Sequence, residues 1–193
     1  MKAFEGYKAQ KQGGSREHLP AGGYVAQILS AKEVQYGWGS VLLISFDISE
    51  GEYKGFFKKD YAENTNENRK WSGTYRLSIP KDDGSEKDGW TKRTFGGVMW
   101  AVEDSNPGYH WDWNEAGLKG KTVGVLYRNY EWDIDGRTGW STECCKMITV
   151  QDVRDGKFKV PKDKPLANKP AEGFTDVTKD DDIRMPWDED PVL

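Results

Sequence analysis

The chain has 193 residues, of which 36% are hydrophobic and 13% aromatic, with 9 Trp, 22 Gly and a formal net charge of -4; its mean hydropathy is -0.85. That length suits one core with terminal extensions rather than two full domains, and many rings among frequent glycines suit short strands and turns. No apolar stretch is long enough to span a bilayer, MKAFEGYKAQKQGGSREH contains no apolar signal region, and adjacent Cys144 and Cys145 would point to opposite faces of a strand; a membrane span, a secretion signal and a disulfide framework are therefore not expected, and a reducing cytoplasm is.

In chain order, residues 1–18 are polar, with Lys2, Lys8, Lys11 and Arg16, and read as a loose basic arm. Order is expected from Leu19. A first strand, Gly23–Val34, is followed by the turn Tyr36-Gly37-Trp38-Gly39 and by Ser40–Ser49, where Leu42, Ile44, Phe46 and Ile48 recur at period two. Tyr53–Lys59 is expected to complete a meander as a third extended segment, residues 61–70 form an Asn-rich loop or short helix, and another strand, Thr74–Ile79, stops at Pro80.

Phe95, Val98, Met99 and Val102 fall at i, i+3, i+4 and i+7, the one clear helical pattern, which Asn106-Pro107-Gly108 ends. Trp90 and Trp100 bracket that helix and are assigned to packing, while Trp111 and Trp113 are left open between core and surface. A strand at Lys121–Asp133, the hairpin signal Asp135-Gly136 and a return strand at Trp140–Val153 follow. Val160-Pro161, Pro165, Pro170 and Gly173 mark a linker over 161–175.

Strands before a helix and a hairpin after it give a mainly β domain over 19–160. This is the element order of a five-stranded Greek-key barrel of the OB type, with the helix between the third and fourth strands.

The charge is unevenly spread. Between 176 and 193, Asp176, Asp180, Asp181, Asp182, Asp188, Glu189 and Asp190 outweigh Lys179 and Arg184 for a net of -5, which leaves 26 basic and 25 acidic residues, a net of +1, in 1–175. A near-neutral body leaves room for a local basic groove. Acids keep a tail extended and solvated, and its end, Asp188-Glu189-Asp190-Pro191-Val192-Leu193, pairs them with apolar residues that can enter a basic-rimmed pocket on a partner protein.

That tail resembles those of bacterial and phage single-stranded DNA-binding proteins, although it ends in Val-Leu rather than Pro-Phe. LPAGGYVAQI, LKGKTVGVLYRNYEW, DGRTGW and GKFKVPKDKPL resemble segments of small phage and prophage proteins of the same class. The resemblance implies a non-enzymatic, cofactor-free protein of the bacterial host cytoplasm that binds single-stranded DNA and recruits replication or recombination proteins through its tail. An exposed β edge would allow two copies to pair.

The candidate nucleic-acid contacts follow from ring and charge patterning. In Val123–Trp132, alternation places Val123, Val125 and Tyr127 on one face and Leu126, Arg128, Tyr130 and Trp132 on the other, a series on which bases could stack while Arg meets phosphate. Trp140 is expected across the hairpin from this group. Trp38 lies in the first turn, Trp71 and Arg76 flank the next strand, and Lys58, Lys59 and Lys70 are close in sequence.

Other chemistries find little support. Asp133-Ile134-Asp135-Gly136 lacks the later ligands of a calcium loop, His18 and His110 have no Cys or His at zinc-ligand spacing, and Gly13-Gly14-Ser15 lacks the Lys of a phosphate loop. A carbohydrate-binding β-sandwich with Trp platforms and, less favoured, a metal-dependent recombination nuclease are the competing classes.

Overall fold

The computed structural model describes residues 17–66 and 68–166. It is mainly β: one five-stranded antiparallel open sheet in the order β3-β2-β1-β4-β5. The strands are β1 (Gly22–Tyr36), β2 (Gly39–Ile48), β3 (Thr74–Ser78), β4 (Thr122–Ile134) and β5 (Arg137–Ile148). Helix α1 (Phe56–Glu63) joins β2 to β3, α2 (Glu86–Ser105) joins β3 to β4, and α3 (Val150–Arg154) follows β5.

The period-two pattern in β2 does what alternation demands: Leu42, Ile44, Phe46 and Ile48 are all buried in the one core cluster, with Phe46 edge-on to Phe57 of α1. Helix α2 contributes Phe95, Val98, Met99, Ala101 and Val102, and Leu19, Leu77, Val123, Val125 and Tyr127 complete the core. Ser85 caps α2 by accepting the Asp88 N–H at 3.1 Å. At its other end the Asn106 amide donates to the carbonyls of Val102 and Thr122 and accepts the Thr122 N–H, which ties the helix end to the start of β4.

Three segments depart from expectation. Tyr53–Lys59 is not a strand; the chain turns at Gly51 and Gly55, both with left-handed φ, and enters α1. The cause is tertiary: the Asp47 carboxylate accepts the Phe57 N–H at 3.0 Å and Ile48 carbonyl accepts the Gly55 N–H at 2.8 Å, so the helix start is held from ten residues upstream. The return strand ends at Ile148 rather than reaching Val153, because Thr149 accepts the Asp152 N–H and caps α3. Trp90 and Trp100 are not packing residues. They are 41% and 60% exposed, since the inward positions of α2 are filled by Phe95, Val98, Met99 and Val102.

Register explains the shape. β1 pairs with β4 only over Gly22–Gln27, while its pairing with β2 runs on to Tyr36 and the β4–β5 pairing runs on to Ile134. Two arms therefore leave the β1–β4 ladder at opposite ends: the β1–β2 arm, edged by β3 along Val41–Ser45, and the β4–β5 arm. The second arm turns at Asp135-Gly136, both with positive φ (53° and 76°), as a two-residue hairpin turn of this hand requires.

Beyond Tyr127 the β1-side edge of β4 would be bare. It is taken up instead by the chain after β5, with Glu131 N–H donating to Lys164 carbonyl at 2.8 Å and Lys164 N–H to Asn129 carbonyl at 2.9 Å. Residues 161–166 are thus laid along the domain, while the remainder of the expected linker, residues 1–16 of the basic arm expected over 1–18, and the acidic tail fall outside the described residues.

Candidate nucleic-acid interface

The edge strands β3 and β5 approach each other without ladder hydrogen bonds, and the seam between them opens as a cleft of about 600 Å³. β3 supplies Thr74, Arg76 and Ser78, the faces of Tyr127, Arg128 and Tyr130 come from β4, and Ser141 to Cys145 come from β5. Phe56, Phe57 and Asp60 of α1 close one side. The incoming chain helps to fill the seam: Thr142 donates to the Leu19 carbonyl at 2.6 Å, His18 Nδ1 lies 3.3 Å from Ser141 Oγ, and Leu19 itself is buried.

Strand alternation dictates what β3 shows. Tyr75 and Leu77 are buried, so Arg76 stands outward and is exposed, opposite Leu43 of β2. On β4 the expected series Arg128, Tyr130 and Trp132 shares one face, and its cross-strand neighbours are Glu143, Ser141 and Gly139. A bulge at Cys145, between the pairs Leu126↔Lys146 and Tyr127↔Cys144, separates this arm from the body of the sheet. Below the bulge Leu126 does not join the outward face; it is buried, because the side of β4 away from the core is covered by α3, where Gly124 abuts Val153 and Thr149.

Electrostatically the cleft is balanced. Arg76, Arg128 and Lys164 line it together with Glu17, Asp60 and Glu143. Arg128 is the best held of these, donating through Nε and Nη2 to Glu143 Oε1, both at 2.9 Å, with its side chain only 16% exposed. Lys58 and Lys59 of α1 are exposed next in sequence to the cleft-lining Phe57 and Asp60, and Lys70 is exposed as well.

The rings divide into platforms and posts. Trp38 is 58% exposed at the tip of the first arm and lies parallel to Tyr36, with centroids 5.3 Å apart and planes 5° apart. Trp132 covers Gly139, where an added Cβ would come within 2.5 Å of its ring. Trp140 is 50% exposed but pairs with Glu131, which places it on the opposite face of the arm from Arg128, Tyr130 and Trp132 rather than with them. Trp71 is a post: its indole N–H donates to the carbonyls of Phe46 and Gly73, both at 3.1 Å, and its ring packs with Phe57 and Tyr61. Trp111 is partly buried against Phe95, and Trp113 is 72% exposed while stacked on the same ring.

Burial pushes the Cys144 thiol well up and the Cys145 thiol up, so both stay protonated and poorly nucleophilic at neutral pH. Among the described residues no group of three His, Cys, Asp or Glu side chains is placed to hold a metal ion, and no helix is long and apolar enough to cross a membrane.

Tyr36, Glu143 and Lys164 are site residues that patterning missed. Counting back from the Asp135-Gly136 turn pairs residue 128 with 143, so the Glu143 partner was readable from hairpin register; Lys164 was not, since it arrives from outside the sheet. The tail residues Asp188, Glu189, Asp190, Pro191, Val192 and Leu193 lie outside the described residues. No protein-family model and no curated protein matches this chain.

Proposed function

We propose that this chain binds single-stranded DNA with little sequence preference, on a five-stranded Greek-key barrel of the OB type. The strand order β3-β2-β1-β4-β5 with α2 between β3 and β4 supports that architecture. The observation that carries the functional reading is the open β3/β5 cleft, where Tyr130 and two arginines line a path bordered by a two-stranded arm bearing Trp132. Rings of this kind stack on any base, each being worth about 1–3 kcal/mol, and cations beside them neutralise phosphates. The Tyr36–Trp38 pair on the other arm offers a second stacking surface. The acidic 176–193 segment engages replication or recombination proteins of a bacterial host cell through its apolar end.

The test is fluorescence anisotropy of labelled oligothymidine and oligouridine with the full chain and with a chain ending at Gly173, at low and moderate salt. Binding of oligothymidine that weakens with salt and persists or tightens on truncation is expected. Absence of binding at low salt, with a Trp fluorescence shift on adding glycans, would replace this reading with a carbohydrate-binding one.

A further inference from the structure

We propose that the outer face of α2 is a self-complementary surface on which a second copy of this chain packs, helix against helix and antiparallel. This goes beyond nucleic-acid binding, and no α2 residue lines the cleft. With 3.6 residues per turn, Trp90, Arg93, Gly97, Trp100 and Asp104 fall in a stripe about 80° wide, and all five are exposed. Two indoles left in water on one helix face are a large uncovered apolar area, because each buries on the order of 150–250 Å² when covered.

The charges choose the occupant and its direction. Arg93 lies over the Trp90 ring at 5.4 Å, and neither it nor Asp104 forms an ion pair among the described residues. A parallel pair would set Arg93 beside Arg93 and Asp104 beside Asp104. An antiparallel pair about a two-fold axis passing between Val98 and Met99 sets Arg93 against the partner's Asp104 and Trp100 against the partner's Gly97. Each contact then occurs twice, as a two-fold interface requires.

Gly97 fits this arrangement, and no packing among the described residues requires a glycine there. A glycine inside a helix is destabilising relative to Ala, its φ is not left-handed, and a Cβ there would meet no atom from another part of the fold within 4 Å. The domain itself would accept Ala at this position. A notch for the partner's Trp100 would not.

Sedimentation velocity of the full chain from low to high micromolar concentration tests the proposal. The weight-average mass is expected to rise from the 22.0 kDa of one chain toward twice that value. Arg93→Glu and Asp104→Arg, each alone, are expected to raise the dissociation constant about tenfold or more because like charges then meet twice. The double reversal is expected to restore association to within about threefold, a rescue that misfolding cannot produce. Trp100→Ala, also on the surface, is expected to weaken the dimer without changing the far-ultraviolet circular dichroism. A wild-type chain that stays monomeric, single reversals that leave a dimer intact, or a double reversal without rescue would each overturn the proposal.

Discussion

Arg128 and Glu143 face each other across the β4–β5 ladder, and two guanidinium nitrogens share one carboxylate oxygen at 2.9 Å. The one cation most firmly placed in the cleft is therefore already compensated, and a phosphate must displace Glu143 to reach it. Glu143→Gln keeps the hydrogen bond but removes the competing charge. Affinity for oligothymidine is expected to rise about fivefold, close to 1 kcal/mol. The plot of log affinity against log salt should steepen by about 0.7, the increment for one further phosphate contact to a single strand. Unchanged affinity and slope would remove Arg128 from the interface.

Exposed and load-carrying rings should separate in mutagenesis. Trp38→Ala is expected to lower affinity by about 1–3 kcal/mol while leaving the urea midpoint nearly unchanged, because its ring is 58% exposed and stacks on Tyr36 at an arm tip. Trp71→Phe is expected to do the reverse: it deletes the donor that serves the Phe46 and Gly73 carbonyls and should cost about 1–3 kcal/mol of stability. Paired denaturation and anisotropy curves for the two variants check this.

Glycines differ sharply in what they tolerate. A Cβ at Gly73 would overlap the Phe46 carbonyl oxygen and the Phe57 ring, both fixed by the sheet and α1, so Gly73→Ala is expected to lose about 1–3 kcal/mol. At Gly89, inside α2, a Cβ meets nothing within 4 Å, and Gly89→Ala is expected to gain about 0.5–1 kcal/mol. Thermal melts of both variants test the pair.

Alkaline pH should unfold the protein through its tyrosines. Burial, with smaller contributions from Tyr53 and Glu52, pushes Tyr24 up to about 12, and burial also pushes Tyr75 and Tyr127 far above the ordinary tyrosine range. The unfolded chain releases these protons near pH 10 and the native chain does not, so stability is full below about 10 and falls as pH rises past it, each such tyrosine losing about 1.4 kcal/mol per unit. Tyr127→Phe should flatten that decline, and because the Tyr127 hydroxyl has no partner among the described residues, it should not destabilise the protein at neutral pH. Urea midpoints at neutral pH and at successive values above 10 decide it.

The strands and the second hairpin were legible because each carries its own signal: period two in β2, and Asp135-Gly136 at a turn that needs positive φ at both positions. α1 was not legible. Its first two residues, Phe56 and Phe57, and Tyr53 in the turn before them favour extended structure locally, and the group that starts the helix is Asp47, on a different element. Burial of the α2 tryptophans failed for a related reason, since a wheel fills its inward positions before its largest side chains are placed. Arg128, Tyr130 and Trp132 were placed together by alternation, whereas Trp140 went to the other face because the turn pairs it with Glu131.

The short run at 163–166 acts as a selvedge on an otherwise raw strand. By occupying the backbone of Asn129 and Glu131, it denies neighbouring molecules a place to add a strand of their own. A chain cut before Lys164 would uncover that border in every copy at once, and its clumping on concentration would say nothing about nucleic acid or tail. Dissection of the acidic segment is meaningful only when the cut falls after Leu166.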